Sequence, residues 1–273
     1  MTELIKETFI DISGTKLYYA EKNQTANQTI FFLHGNSSSH ETWEYQFNSR
    51  LLSEYRLVAF DLPAHGFSDN SDDYSLPGIA RIMANAVVKL ASNKPYMLVG
   101  VSLGTNIISE SMAFDLFPNG IVLAGPCIIN NEYSADKIMI PDTKIGVGFI
   151  DDPPKEDLLA LNQLAYNYHD EKKAELFLKN FKSVKDGFRS KVGQTLADGN
   201  FNDQIELVKK KKIPLLVIFG KADPAIDPHY LDRANLPLWR DAIIKLEGAG
   251  HWVHLDEPEQ FCQQLADFAR DVL

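Results

Sequence analysis

At 273 residues the chain is long enough to bury a sizeable core without staples, and its formal net charge of −10 disfavours a phosphate backbone as partner. Two cysteines, Cys127 and Cys262, are too few for a disulfide framework and lack metal-ligand spacing, so both are expected as small buried thiols in a reducing compartment. The start, MTELIKETFIDISGTKL, has no basic segment ahead of an apolar core, and no later run reaches the ~20 apolar residues of a membrane span. A cytoplasmic protein with no nucleic-acid partner and no membrane span is expected.

In chain order, FIDISGTKLYYAEK alternates polar and apolar residues around Ser13-Gly14 and predicts a β-hairpin. Short unbroken apolar runs follow at 29–35, 55–61, 96–102, 120–126 and 213–220. Strands apolar on both faces belong in a parallel sheet covered by helices. Helix-length stretches lie between them: WEYQFNSRLLSEY, LPGIARIMANAVVKLAS and TNIISESMAFDLF. The terminal EPEQFCQQLADFARDVL has helical apolar spacing, with Pro258 in its first turn. The class is therefore α/β, a mostly parallel sheet flanked by helices.

The pattern breaks between 129 and 209, where Asp151-Asp152-Pro153-Pro154 marks a boundary and a further helix begins at Asp170. This predicts a core of 1–128 and 210–273, with a helical cap, 129–209, inserted between core strands over the carboxyl edge of the sheet. The lysine run 209–212 is expected as a solvated helix end, where cations complement the dipole.

Gly100-Val101-Ser102-Leu103-Gly104 follows a predicted strand and precedes a predicted helix, the context in which G-x-S-x-G marks a nucleophile elbow. A serine hydroxyl needs a base, and His251 in EGAGHWVHLDEP stands on the loop before the last helix. His254 and His229 are expected to be structural or superficial. The imidazole needs a carboxylate, and Asp223 lies just past the end of the strand IPLLVIFG, with Asp227 as fallback. Amides stabilising an oxyanion are expected from Leu103, behind the nucleophile, and from Asn36 in LHGNSSS, where Gly35 lets the backbone come close. The Asn36 side chain could add a donor near the substrate. His34 is expected to hold that loop rigid, and Asp61 and His65 of DLPAHGFSD to hydrogen-bond within theirs; Ser68 has no assigned role. Neither a metal nor a nicotinamide cofactor is required, because no zinc-ligand spacing and no glycine-rich dinucleotide turn occurs.

Together HGN at 34–36, DLPAHGFSD, GVSLG, GKADP and GAGHW resemble the α/β-hydrolase superfamily over nearly the whole chain. The resemblance implies an α/β-hydrolase fold with a helical cap and a Ser102–Asp223–His251 triad. Ser102 stands where dehalogenases and epoxide hydrolases of this superfamily carry an aspartate, which argues against those two. LHGNSSS, DLPAHGFSD, YSLPGIA, GKADPAID and NLPLW are similar to the metal-independent N-acyl-homoserine lactonases. That family has a glutamate at the acid position, where this chain has the shorter Asp223, and uses a cap tyrosine against the lactone. Tyr166 is chosen for that role over Tyr168, and Gly35 and Trp252 complete the substrate-binding set. The expected partner is a small ester or lactone with an acyl chain, and the expected unit a monomer. Alternatives are a general carboxylesterase, a C–C bond hydrolase, a non-catalytic ligand receptor and a haloperoxidase-like enzyme.

Overall fold

The computed structural model describes residues 5–141, 143–165, 170–185 and 187–273. The alternating N-terminus forms β1 (Lys6–Ile12) and β2 (Thr15–Lys22), paired antiparallel across a turn in which Ser13 and Gly14 take positive φ. The unbroken apolar runs become β3 (Thr29–Leu33), β4 (Arg56–Phe60), β5 (Tyr96–Val101), β6 (Gly120–Ala124) and β7 (Leu215–Gly220), and Leu238–Leu246 adds β8. The sheet order is β1-β2-β4-β3-β5-β6-β7-β8; β2 meets β4 antiparallel, and every later pairing is parallel. Every residue of β3, β5, β6 and β7 is buried, as strands covered on both faces require.

The helices are α1 (Glu44–Asn48), α2 (Leu76–Ala91), α3 (Leu103–Ser111), α4 (Ala135–Ile138), α5 (Lys155–Ala165), α6 (Glu171–Ser183), α7 (Phe188–Ala197), α8 (Gln204–Lys211), α9 (Val253–Asp256) and α10 (Pro258–Val272). Strand side chains alternate between two cores because the strand period is two. Phe31, Leu98, Leu123 and Val217 pack with Ile79 and Met83 of α2, Ile107 of α3 and Val208 of α8. Phe32, Val99, Val122 and Leu216 pack on the other face with Phe47 of α1 and Phe261, Leu265 and Phe268 of α10.

The stretch 43–55, expected as one helix, is broken. Short 3-10 turns at His40–Trp43 and Arg50–Leu52 flank α1, because Ser49 is extended and its hydroxyl accepts from Leu51 N, offering the backbone an alternative to the helix. By contrast, α6 starts where Asp170 predicts it, with the carboxylate accepting from the amides of Lys172 and Lys173.

β6 and β7 are sheet neighbours, so α4–α8 are all inserted between adjacent strands. Within this insertion α8 packs on α3 as part of a sheet layer, whereas α5 packs on a 3-10 turn at Lys144–Phe149 and on α6. Val147, Leu161, Phe177 and Phe181 of the insertion form a separate apolar cluster with Trp252 and Leu255, next to the carboxyl edge of the sheet.

Candidate active site

The turn from β5 into α3 holds Ser102 at φ 50°, ψ −121°, a conformation that side chains other than glycine rarely adopt and that costs about 1–3 kcal/mol. The flanking glycines make it sterically feasible. A Cβ on Gly104 would lie 2.3 Å from Leu33 O, and one on Gly100 would lie 2.7 Å from the Gly104 carbonyl. The helix can therefore rise directly off the strand end, carrying Ser102 half-buried to the edge of a cavity.

His251 and Asp223 arrive from the loops after β8 and β7. Asp223 Oδ1 accepts the amides of Ala225 and Ile226 at 2.8 and 2.9 Å, leaving Oδ2 for His251 Nδ1 at 2.8 Å. This fixes the tautomer with the proton on Nδ1 and turns Nε2 towards the cavity. Burial opposes charge on the ring, but the Asp223 carboxylate, aided by its hydrogen bond, holds the imidazole well above the ordinary histidine range. Asp227 is exposed, accepts from His229 N at 2.9 Å and makes no described contact with His251. Beneath His251, Gly125 has φ 47°, and a Cβ there would lie 2.5 Å from the His251 carbonyl oxygen. No hydrogen bond joins Ser102 to His251 among the described residues; such bonds are often long before substrate binds.

The loop after β3 lies against the serine. A Cβ on Gly35 would sit 3.1 Å from Ser102 Cβ and 3.7 Å from its Oγ, so glycine lets this loop pass close to Ser102 without crowding it. The Leu103 amide opens α3, where no helical carbonyl lies behind it, and the helix dipole adds to its pull on an anion. The Asn36 side chain, considered as a further donor to substrate, donates instead to Gly148 O at 2.7 Å. Its Oδ1 accepts from Ser37 Oγ, which in turn accepts from Arg189 Nε at 2.9 Å. Arg189 is buried on α7 and also donates to the carbonyls of Asp151 and Phe181. The inserted helices are thus wired to the loop beside Ser102.

His34 and His65 brace the same loop from below. His34 Nδ1 donates to Gly35 O at 2.7 Å while Nε2 accepts from Leu62 N at 3.0 Å; His65 Nδ1 donates to Pro63 O and Nε2 accepts from Ser37 N. Each pair of bonds needs the neutral ring. Asp61, fully buried, accepts from the amides of His40 and Phe67, and Ser68 Oγ donates to Asp61 O. His254 is buried and hydrogen-bonds to Thr42 Oγ1 through Nε2 at 2.8 Å, while His229 is exposed beside Asp232.

These buried rings predict acid lability. Burial pushes His34 down to about 4, His254 down to about 3, and His65 well below its ordinary value. Below pH 6.5 the unfolded chain protonates them first, so stability falls until each folded value is passed. At pH 5, His34 and His254 together remove about 4 kcal/mol, a large share of the ~5–15 kcal/mol typical of a domain. His251 has the opposite sign: its contribution is full below pH 6.5 and is lost as pH rises through its elevated value. Urea unfolding at pH 7.5 and pH 5 is expected to show a much lower midpoint at pH 5; equal midpoints would contradict this account.

Above Ser102 is a cavity with about 900 Å³ of empty space, counting its open mouth. Its walls are apolar, among them Leu76, Ile129, Met139, Phe149, Leu161, Phe177 and Trp252; the polar lining is Asn36, Ser37, Ser102, Asn106, Cys127 and His251. Gly35 lies beside Ser102 rather than lining the wall, Trp252 both lines the wall and packs on the inserted helices, and Tyr166 and Tyr168 lie outside the described residues. Cys127, expected as a buried structural thiol, is instead half-buried in this cavity, 3.8 Å from Ser102 Oγ, because it follows the end of β6 directly. Its place beyond a strand's carboxyl end was the available signal. Arg189 had none: in KDGFRSK it looks like a surface residue. Among the described residues no helix is long and apolar enough to cross a membrane.

Comparisons agree with this architecture. Monoacylglycerol lipase ABHD6 of Rattus norvegicus is 24% identical over 260 residues, covering 89% of this chain and 76% of the relative. A structure of a variant of the N-acyl homoserine lactonase AidH complexed with N-hexanoyl homoserine lactone superposes with a TM-score of 0.87 at 20% identity, covering 98% of both chains. The esterase RhEst1 from Rhodococcus sp. ECU1013 gives 0.76 at 22% identity, covering 98% of this chain and 99% of that one. The model of the alpha/beta hydrolase family matches residues 30–264, and with the elbow, sheet order and strand-end loops in place, the chain belongs to that family.

Proposed function

We propose that the chain is a serine hydrolase that cleaves a neutral carboxylic ester or lactone through an acyl-enzyme, with an N-acyl-homoserine lactone as its substrate. In this reading His251 Nε2 takes the proton of Ser102 as Oγ attacks the carbonyl carbon, Asp223 supports the imidazolium, and the amides of Asn36 and Leu103 receive the oxyanion. Ring opening leaves the alcohol attached to the acyl chain, and water activated by His251 then frees Ser102. Residues 129–209 act as the cap, with the helices before α8 forming the wall that shelters the acyl chain from water.

One observation carries the reading: Ser102 and His251 open into a cavity whose described lining is mostly apolar and holds no lysine, arginine or carboxylate. Such a lining suits a neutral acyl chain and offers no counter-ion to the carboxylate of a ring-cleavage product, which disfavours the C–C bond hydrolase. AidH, which shares the fold, was crystallised with N-hexanoyl homoserine lactone, a compound of this shape. The test is pH-monitored hydrolysis of an N-acyl-homoserine lactone and an aryl ester of matched chain length. The lactone is expected to have a specificity constant at least about tenfold higher. Turnover of the ester alone would remove the lactonase assignment in favour of a general esterase, the reading to which the monoacylglycerol lipase relatives point.

A further inference from the structure

Asn106 stands one helical turn beyond Ser102 on α3, is only 5% exposed, and lines the same cavity. Its carboxamide is held in one orientation by a chain of hydrogen bonds that starts at a buried acid. Glu110, fully buried on α3, accepts from the amide and the side chain of Asn202 at 2.9 and 2.7 Å and from Gln204 Nε2 at 3.0 Å. Gln204 therefore turns its NH2 towards Glu110 and its Oε1 back, where it accepts from Ile129 N at 3.0 Å and from Asn106 Nδ2 at 2.9 Å. The second N–H of Asn106 goes to the carbonyl of Cys127. An asparagine turned the other way would set its oxygen against both of those acceptors, so the network decides which atom faces which way.

Both N–H groups of Asn106 are thus used, and Oδ1 is what remains. It accepts no hydrogen bond among the described residues, yet it is not sealed off from open space, and the cavity is the open space that Asn106 borders. The other polar side chains of the lining are engaged elsewhere. Asn36 and Ser37 bond each other, Cys127 lies against Ser102, and Ser102 and His251 are the reacting pair of the reading above.

We propose that Asn106 is a specificity-determining residue, its Oδ1 accepting a hydrogen bond from an N–H of the substrate next to the scissile carbonyl. The proposal rests on the lactonase reading above and deepens it. In an N-acyl-homoserine lactone the ring offers acceptors alone, and the amide that joins ring to acyl chain supplies the N–H, on the carbon beside the lactone carbonyl. A mostly apolar cavity makes this acceptor matter. A bound substrate without a donor would displace water from Oδ1 and leave it unpaired, which is how a site built around a hydrogen bond rejects the analogue that lacks it.

The experiment compares ring opening of two lactones of equal length, N-hexanoyl-homoserine lactone and the analogue in which CH2 replaces its amide N–H. Each reaction adds one water across the ring C–O bond and yields a carboxylic acid and an alcohol, so acid release reads both. Wild type is expected to favour the N–H lactone by at least about tenfold in kcat/KM. In Asn106→Leu, similar in size but without an acceptor, that preference is expected to fall to within about twofold of one, through loss on the N–H lactone. A merely structural role in the network between α3 and α8 would slow both lactones alike and leave the ratio where it was. The wild-type ratio needs no variant to fold. A wild-type ratio near one, or an unchanged ratio in folded Asn106→Leu, overturns the proposal. Failure of wild type to open either lactone would instead bring down the lactonase reading, and this proposal with it.

Discussion

Replacing Ser102 by alanine is expected to lower kcat by about 10⁶-fold while leaving the fold and substrate affinity nearly intact. The size follows from the role proposed for this hydroxyl: no acyl-enzyme forms without it, and no other described group presents an oxygen nucleophile beside both His251 and the Gly35–Asn36 loop. The alanine is smaller than the serine it replaces and points into a cavity, so packing is undisturbed. The elbow itself keeps its backbone, since Gly100 and Gly104 are untouched. Steady-state rates on the best substrate, with near-ultraviolet circular dichroism as a check on the fold, provide the measurement. Activity above about one per cent of wild type would remove Ser102 from the mechanism.

Asp223→Asn should be the next most severe change, lowering kcat by about 10⁴-fold. Its two oxygens have different work: Oδ1 accepts two amides of its own loop, and Oδ2 accepts from His251 Nδ1. An asparagine would keep its carbonyl oxygen on the loop amides and turn its NH2 towards the ring. Nδ1 would then become an acceptor, the proton would move to Nε2, and the base could no longer take a proton from Ser102. The same exchange removes the carboxylate that holds His251 well above the ordinary histidine range. Asp227→Asn is the matched control, expected to stay within about twofold because that carboxylate lies on the surface capping the amide of His229. Comparable losses from both variants would show that the carboxylate acts through the loop's structure rather than through His251.

What the amino-acid order determined by itself was the central strands and the chain positions of Ser102, Asp223 and His251, which the fold brings to one edge of the sheet. Strands covered on both faces leave unbroken apolar runs, so β3 to β7 could be located to within a residue or two, and the glycines around Ser102 have a local steric cause that spacing alone reveals. Asp223 and His251 could be named because functional groups collect just beyond strand ends. Weaker local signals misled where side chains compete with the backbone: Ser49 breaks the helix expected over 43–55 by capping its own second turn.

Only the tertiary structure decided what surrounds those residues. Cys127 resembles any small buried thiol until the loop after β6 is folded across the site and brings Sγ to 3.8 Å from Ser102 Oγ. The Asn36 carboxamide is free to meet substrate on paper, but in the folded chain Gly148 takes its N–H and Ser37 its oxygen. Arg189, 152 residues from Ser37 in sequence, is buried against it through a contact no local pattern encodes. The physical reason is common to all three. Periodicity and turn chemistry act between residues a few positions apart, whereas burial and hydrogen-bond pairing of a polar side chain depend on which distant segment folds against it.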